Sequence, residues 1–130
     1  MTAEIPAHLL HLLTDPNFGS LATVRPDNTA QVNPMWFEYD GEHLLFTHTS
    51  KRAKFRNLQK NPSMALAVFD PKHPQSYIEV RGTLSEVRED PTGAMYVRLG
   101  KRYGNAAQTP PPDKADRVIL VMSITKVHGR

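Results

Sequence analysis

The chain contains no cysteine, and this absence excludes several classes of protein at once. Without thiols there is no disulfide framework, no thiolate metal site, no iron–sulfur cluster and no cysteine nucleophile. No stretch approaches the roughly 18 to 20 apolar residues that a membrane-spanning helix needs. The N-terminal stretch lacks the early positive charge and the small-residue cleavage site of a secretory signal. We therefore expect a cytoplasmic protein with no membrane partner.

The net charge is also small. Sixteen basic and thirteen acidic side chains leave a formal net charge of +3, well short of a dedicated nucleic-acid binder. No dinucleotide-binding glycine motif, Walker loop or nucleophile elbow occurs. The six histidines are scattered and no zinc motif surrounds them, so no metal site is expected. At 130 residues, of which 39% are hydrophobic, the chain suits one domain spanning 1–130.

Strand patterns linked by short turns dominate what is present. The segment Phe18–Thr49 predicts three strands, with a turn at Arg25–Asn28 and a type I′ hairpin at Asp40–Gly41. Three more strands follow in the segments "SMALAVFD", "YIEVRGTLSEV" and "RVILVMSITKV". Gly82 in the second of these indicates a bend or a bulge.

Three helices complete the pattern. The first is an N-terminal amphipathic helix, the second runs from Lys51 to about Lys60 with Ser50 as its cap, and the third opens at Asp90-Pro91. Apolar spacing predicts the buried residues of the first two helices, which are Ile5, Leu9, Leu12, Leu13, Phe55 and Leu58. Six strands linked mostly by hairpins favour a mainly β fold, an antiparallel barrel with flanking helices.

The stretch "THTSKRAKFRN", Thr47 to Asn57, concentrates positive charge at the predicted start of the second helix. Each cation in a first helical turn costs about 0.3–1 kcal/mol unless an anion compensates it. A solvated helix face is the plain interpretation. Free backbone N–H groups and the hydroxyls of Thr49 and Ser50 favour a phosphate or carboxylate site instead. The cations are Lys51, Arg52, Lys54 and Arg56.

The segment "QVNPMWFEY" is the second candidate for a site. Alternation places Gln31, Asn33, Met35 and Phe37 on one face of the strand. Pro34 removes a ladder donor and therefore indicates an edge or a bulge, where backbone groups are free to meet a flat ligand. Core packing of Met35 and Trp36 explains the same pattern equally well.

The order of these parts resembles the pyridoxamine phosphate oxidase-like superfamily, whose fold is the FMN-binding split barrel. The most specific pieces are "RAKFRNLQKNP" and "YIEVRG". The chain is most similar to the actinobacterial branch of flavin/deazaflavin oxidoreductases that use the deazaflavin coenzyme F-420. Ala53 stands where the phosphate-oxidase branch has an arginine, and the chain stops soon after its last strand, so we expect the F-420 branch.

The resemblance implies a six-stranded antiparallel split β-barrel, dimeric, with the cofactor at the subunit interface. Arg52 and Lys54 would hold the cofactor phosphate, with Lys51, Arg56 and Asn57 beside them. The backbone from Asn33 to Trp36 would contact the ring system, and Tyr77 would approach it across the interface. The end of the preceding strand would line the ribityl and phosphate portion through Thr47, His48, Thr49 and Ser50.

The implied activity is transfer of a hydride from reduced F-420 to an electron-poor organic substrate, such as an enone, a quinone or a tetrapyrrole. The cofactor carries that chemistry, so few catalytic side chains are required, and none is identified. FMN is the alternative cofactor, and a non-enzymatic flavin or F-420 binding protein is the alternative class. A small RNA-binding barrel is disfavoured, because the basic stretch lacks clustered aromatic residues beside it.

Overall fold

The computed structural model describes residues 3–130, which form one curled antiparallel sheet with three helices around it. The α-helices are α1 (Leu10–Thr14), α2 (Ala53–Lys60) and α3 (Ala94–Arg102). Short 3-10 turns occupy Ala7–Leu9 and Lys114–Asp116. The strands are β1 (Gly19–Val24), β2 (Ala30–Met35), β3 (Glu38–Tyr39), β4 (His43–Thr49), β5 (Ser63–Phe69), β6 (Tyr77–Glu89) and β7 (Arg117–Gly129).

The order of the strands shows why the sheet closes into a barrel. Hydrogen bonds join them in the order β2-β1-β5-β6-β7-β4-β3, and every pair is antiparallel. The two strands at the ends of this order, β2 and β3, are consecutive in the chain. Only Trp36 and Phe37 separate them, and such a link spans at most roughly 11 Å. The sheet therefore curls until its two edges meet.

Seven strands are present where the sequence predicted six, because one predicted strand is broken in two. The segment from Gln31 to Tyr39 was expected to be continuous, but it leaves β2 after Met35 and enters β3 at Glu38 on the opposite edge. Before the break, burial alternates as expected, with Gln31 partly buried and Val32 exposed. Pro34 lies on an edge strand, as its missing N–H predicted.

Inward-facing side chains of the strands fill the barrel. Phe37 and Phe46 are the largest fully buried side chains, and Leu9, Leu12 and Leu13 cover the interior from the N-terminal helical segment. A second, smaller cluster lies outside the barrel, where α3 packs on the outer face of β4 and β7. Its buried members are Leu45, Met95, Leu99 and Val121. Burying each such side chain is worth about 1.5–3 kcal/mol, which fixes α3 beside the corner between β2 and β3.

Helix α2 begins later than the sequence predicted, and Ser50 is not its cap. Ser50 donates both its N–H (3.1 Å) and its hydroxyl (3.4 Å) to the carbonyl of Asp116, which ties the end of β4 to the start of β7. A turn follows, and Arg52 is the residue before the helix, with no side-chain capping bond. Of the predicted first-turn cations, Lys51 and Arg52 therefore precede the helix, and only Lys54 lies in its first turn.

Helix α3 is capped by Asp90 across a turn. The sequence placed Asp90-Pro91 at the start of the helix, but the helix begins at Ala94. The buried Asp90 carboxylate accepts hydrogen bonds from the N–H groups of Ala94 (3.1 Å) and Met95 (2.9 Å). Gly93, at φ +69°, makes the sharp turn between them that other residues adopt only with strain.

Of two further backbone predictions, one is confirmed and one is wrong. The bulge at Gly82 is confirmed, because the β6–β7 register shifts between Arg81 and Gly82. A Cβ at this position would lie 1.7 Å from the carbonyl oxygen of Ser123. The type I′ turn at Asp40–Gly41 is wrong: the hairpin exists, but only Gly41 of its central residues has positive φ. The Asp40 carboxylate instead accepts the N–H groups of Glu42 and His43 and shapes the turn.

The corner between β2 and β3 is held by the end of α3. The N–H of Phe37 donates to the Tyr103 hydroxyl (3.1 Å), and that hydroxyl donates to the carbonyl of Asn17 (2.7 Å). Arg102 donates from Nε to the carbonyl of Phe37 (2.9 Å). Its two terminal nitrogens donate to the carbonyls of Leu13, Thr14 and Asp15 at the C-terminal end of α1.

Replacing Arg102 by methionine is expected to destabilise the fold, because four carbonyl groups lose a charged donor at once. Hydrogen bonds to charged groups are worth about 1.5–3 kcal/mol each, but the more exposed carbonyls regain water. We expect a loss of about 2–4 kcal/mol in the free energy of unfolding, measured by urea titration. Lys101→Met, at the exposed neighbouring position, is the control. Equal stability of the two variants would contradict this role for Arg102.

Candidate functional site

A pocket of about 440 Å³ opens where the β2–β3 corner, the end of β4 and the start of β7 meet beside α3. Its lining joins the two segments that the sequence singled out. Half of the fourteen predicted cofactor-binding residues line it, namely Asn33, Pro34, Met35, Trp36, Thr47, His48 and Arg52. The basic stretch and the proline-containing strand are therefore neighbours in space although they lie far apart in the chain.

One wall of the pocket is a stack of aromatic rings. Trp36 lies nearly parallel to Tyr103, with ring centroids 5.6 Å apart and an angle of 12° between the rings. Phe18 also stacks on Tyr103, with ring centroids 5.3 Å apart. The Tyr96 ring lies 5.7 Å from that of Trp36. Because Tyr103 is anchored at the corner, the indole is held in one orientation. This wall presents a flat apolar surface to a ligand.

One end of the pocket is basic. Arg52 reaches it from the turn before α2, and Arg117 from the first residue of β7. Arg117 is 8% exposed, pairs with Asp113 (Nε to Oδ1 3.1 Å), and lies 4.8 Å above the ring centre of Tyr96. Lys54 does not line the pocket, but its charge lies close enough to affect His48. Three cations thus surround this end.

His48 is buried among these cations. Burial first, and then the charges of Arg52, Lys54 and Arg117, lower the pKa of His48 from its ordinary 6.5 to about 4. The imidazole is therefore neutral at neutral pH. Burial, followed by the Arg25 guanidinium, likewise lowers the pKa of Lys54.

Several buried polar atoms in this region have no hydrogen-bond partner among residues 3–130. They are the Asn33 Oδ1, Thr47 Oγ1, His48 Nε2 and Lys54 Nζ atoms. Lys54 is 3% exposed and His48 is 5% exposed. A buried polar group without a partner costs about 1–3 kcal/mol, and more for a charged group. Such a concentration around one pocket is typical of a site whose ligand supplies the missing partners.

The other predicted site residues make contacts within the protein. The Asn57 amide is buried and donates to Thr23 (3.3 Å) and Gln31 (2.9 Å), which clamps α2 to β1 and β2. Arg56 donates to the carbonyl of Lys51 (3.0 Å), and the Thr49 hydroxyl accepts the N–H of Lys51 (3.3 Å). These contacts shape the turn that carries Arg52. Ser50, bound to β7 as described above, does the same.

Tyr77 lies outside the pocket of its own chain. It begins β6, beside the end of β7, with its ring 6.2 Å from that of His128. Arg117 stands at the start of the same strand β7, so the two residues occupy opposite ends of the β6–β7 pair. Within one subunit the structure does not bring Tyr77 to the site.

Sequence reasoning missed three residues that line the pocket, namely Phe18, Tyr96 and Arg117. Tyr96 lies on α3 and Arg117 begins β7, and neither belongs to the two segments that the sequence singled out. The antiparallel pairing of β4 with β7 places Arg117 opposite Thr49, at the end of the predicted phosphate segment. An arginine at the edge of a long apolar strand was the available signal.

The match to known proteins now defines the class. Residues 5–130 match the family described as pyridoxamine 5'-phosphate oxidase, and the chain belongs to that family. This assignment and the antiparallel sheet confirm the expected split-barrel fold.

Individual relatives differ in function. The chain is 30% identical over 120 residues to a pyridoxine/pyridoxamine 5'-phosphate oxidase of Rhodopseudomonas palustris (strain TIE-1), covering 89% of this chain and 56% of that enzyme. It thus spans little more than half the length of the curated relatives that it matches. A solved structure named F420 reductase is 52% identical, with a TM-score of 0.92, covering 95% of this chain and 98% of that one. A conserved hypothetical protein from Mycobacterium tuberculosis, at 20% identity and a TM-score of 0.75, covers 98% and 85% and shares the fold.

Neither a metal-binding cluster nor a membrane-spanning helix occurs in the described residues. Within residues 3–130, no group of three or more histidine, aspartate or glutamate side chains is placed to hold a metal ion. No helix there has the length and apolar character needed to cross a membrane.

Stability is expected to depend on pH through His48. Between pH 6.5 and about 4, His48 is protonated in the unfolded chain but not in the folded protein. The free energy of unfolding therefore falls as the pH drops through this window. This residue lowers the free energy of unfolding by about 2 kcal/mol at pH 5, and the effect vanishes above pH 6.5. Urea unfolding at pH 7, 6 and 5 should show a shallower decline for His48→Gln than for the wild type. Identical declines would mean that His48 titrates normally in the folded protein.

Proposed function

We propose that this protein is an oxidoreductase that uses the deazaflavin coenzyme F-420, in its reduced form, to reduce an electron-poor organic substrate. The observation that carries the proposal is the junction of a flat aromatic wall with a basic end whose buried polar atoms have no partners in residues 3–130. A ligand that combines a planar ring with an anionic tail would fit both the aromatic wall and the basic end. The 52% identical F420 reductase supports the choice of cofactor.

The residues present fit such a cofactor. Arg52, Arg117 and the Thr47 hydroxyl line the pocket and would hold its phosphate. The buried ammonium of Lys54 lies outside this lining and would join them through a bond formed on binding. The Asn33 Oδ1 atom is an acceptor without a partner in the described chain, suited to an N–H of the ring. Trp36 would pack beside the ring. Lys51 and Arg56 are exposed and lie close in the chain to the lining residue Arg52. They exceed what one phosphate needs and would suit the lactyl-oligoglutamate tail that follows it.

The bound cofactor supplies the hydride. The protein's part is to bind and orient the ring, to exclude water with its aromatic wall, and to leave one face of the ring for an enone, quinone or tetrapyrrole. The wall residues Phe18 and Tyr96 line the part of the pocket where such a substrate would lie. Ala53 favours F-420 over the pyridoxamine phosphate chemistry of the family's namesake, since the family's second phosphate arginine is absent there.

A homodimer completes this proposal. The pocket is open on one side, with Phe18 62% exposed at its rim, and Tyr77 can reach a site only from a second subunit. Isologous pairing is the commonest closed arrangement of identical chains. Apolar exposure also extends along the barrel surface through Val32 and Phe69, which a second subunit would cover.

An FMN-dependent oxidase or reductase is the second candidate. It is favoured by membership of the pyridoxamine 5'-phosphate oxidase family, since the basic end suits the phosphate of FMN as well. A protein that only binds a flavin or F-420 would use the same site without turnover. Cofactor affinity distinguishes an F-420-dependent enzyme from an FMN-dependent one. Substrate reduction distinguishes either enzyme from a protein that only binds the cofactor.

Coenzyme F-420 is expected to bind more tightly than FMN, because its longer anionic tail would also bind the exposed cations Lys51 and Arg56. Trp36 is the only tryptophan, so titration of apo-protein should quench its fluorescence with either ligand. Light scattering on the same samples should give the mass of two chains. Tighter binding of FMN would overturn the F-420 assignment, and a monomer with bound cofactor would remove the interface from the site.

Lys54→Ala should weaken cofactor binding about ten- to a hundredfold, since a charge-assisted bond to phosphate is worth roughly 1.5–3 kcal/mol. Folding should change by less than about 1 kcal/mol, because removal of an unpaired buried cation offsets the lost packing of its methylenes. Binding by fluorescence and unfolding by urea measure the two effects. Lys60→Ala, exposed at the far end of α2, is the matched control. Equal affinity of the two variants would remove Lys54 from the phosphate site.

A further inference from the structure

His48 carries an imidazole nitrogen that the fold of residues 3–130 leaves without a partner. Its Nε2 atom is buried at the basic end of the pocket, and the residue as a whole is 5% exposed. A neutral histidine in a protein interior normally uses both ring nitrogens in hydrogen bonds. The free Nε2 atom therefore points to a bond that a ligand makes.

The charges that face this imidazole come from three elements and have the same sign. Arg52 approaches from the turn before α2, Lys54 from α2 and Arg117 from β7. Asp113 is already paired with Arg117, and the further cation Arg25 acts on Lys54. The charges that act on His48 are therefore all positive. A proton on His48 would add a fourth charge to three, which the empty site resists.

An anionic ligand reverses this balance. A phosphate between Arg52, Lys54 and Arg117 compensates the cations and places oxygen acceptors beside the imidazole. The Nε2 atom can then bond only as a donor, either as the neutral tautomer or as the imidazolium. The imidazolium makes the stronger, charge-assisted bond, and nearby negative charge favours it.

We propose that His48 takes up a proton when an anionic group binds at this end of the pocket, so that cofactor binding and protonation of a buried imidazole are coupled. The inference rests on the proposed function, since it needs an anion in the basic end. It makes His48 a positioning residue whose bond to the ligand forms only in the charged state. Binding becomes tighter as the pH falls through the range in which free His48 is still neutral.

The test is calorimetry of F-420, FMN and pyrophosphate binding at pH 6 in two buffers of different ionisation enthalpy. The difference between buffers counts the protons taken up. The wild type should take up at least about half a proton more per site than His48→Gln, and its affinity should rise at least about threefold more per unit fall in pH. Glutamine keeps an N–H donor at this position but does not titrate, so the ligand's own titration cancels in the comparison.

His43→Gln, on the same strand, is the control and should keep the wild-type proton count. NMR titration of His48 in the unaltered protein, with and without ligand, gives an independent reading and requires no variant. A pKa of His48 that stays the same on binding, or equal proton counts in wild type and His48→Gln, would overturn the inference and leave the proposed function intact. Failure of all three anions to bind would overturn both. Binding of pyrophosphate alone, with proton uptake, would sustain the inference and overturn the proposed function.

Discussion

Closure of the barrel depends on the backbone of one residue, Phe37. Its N–H and its carbonyl are both bound by side chains at the end of α3, Tyr103 and Arg102, while its ring is fully buried in the barrel. A backbone that leaves one sheet edge and joins the other loses its ladder partners on the way. Buried backbone groups without partners are costly, so two side chains must replace the ladder there. The position of α3 and the orientation of Trp36 follow from this requirement.

The site is a consequence of the same arrangement. Because the chain turns at Trp36, the indole leaves the strand and lies against Tyr103, where it becomes a wall of the pocket. The basic end is supplied separately, by the β4–β7 ends tied through Ser50 and by α2 clamped through Asn57. A fixed cluster of like charges is destabilising in isolation. Its persistence is the kind of local cost that binding sites accept.

Local patterns predicted what local forces determine. Alternating burial in β2, the turn at Arg25–Asn28 and the bulge at Gly82 followed from periodicity and turn chemistry. So did the burial of Leu9, Leu12, Leu13 and Leu58, whereas Ile5 and Phe55 are only partly buried. The break at Trp36–Phe37 could not be predicted, because the side chains that permit it lie about 65 positions later in the chain.

The same distinction applies to the candidate site. The positive charge of Thr47–Asn57 was evident from the sequence, but charge alone does not tell which cations are buried. Lys54 is enclosed while Lys51 remains exposed, because α2 begins at Ala53 and not at Lys51. Arg117 and Tyr96 join the pocket only through the pairing of β7 with β4 and the docking of α3, which no short window of sequence records.

The corner places an uneven restriction on sequence variation. Arg102 and Tyr103 bind Thr14, Asp15 and Asn17 through carbonyl oxygens, so they are indifferent to the side chains of these three residues. The exposed Thr14 and Asp15 can therefore be exchanged freely as long as their carbonyls keep their places. The acceptors tolerate mutation and the donors do not, so the record of this corner in a set of related sequences would be two invariant positions beside a variable loop.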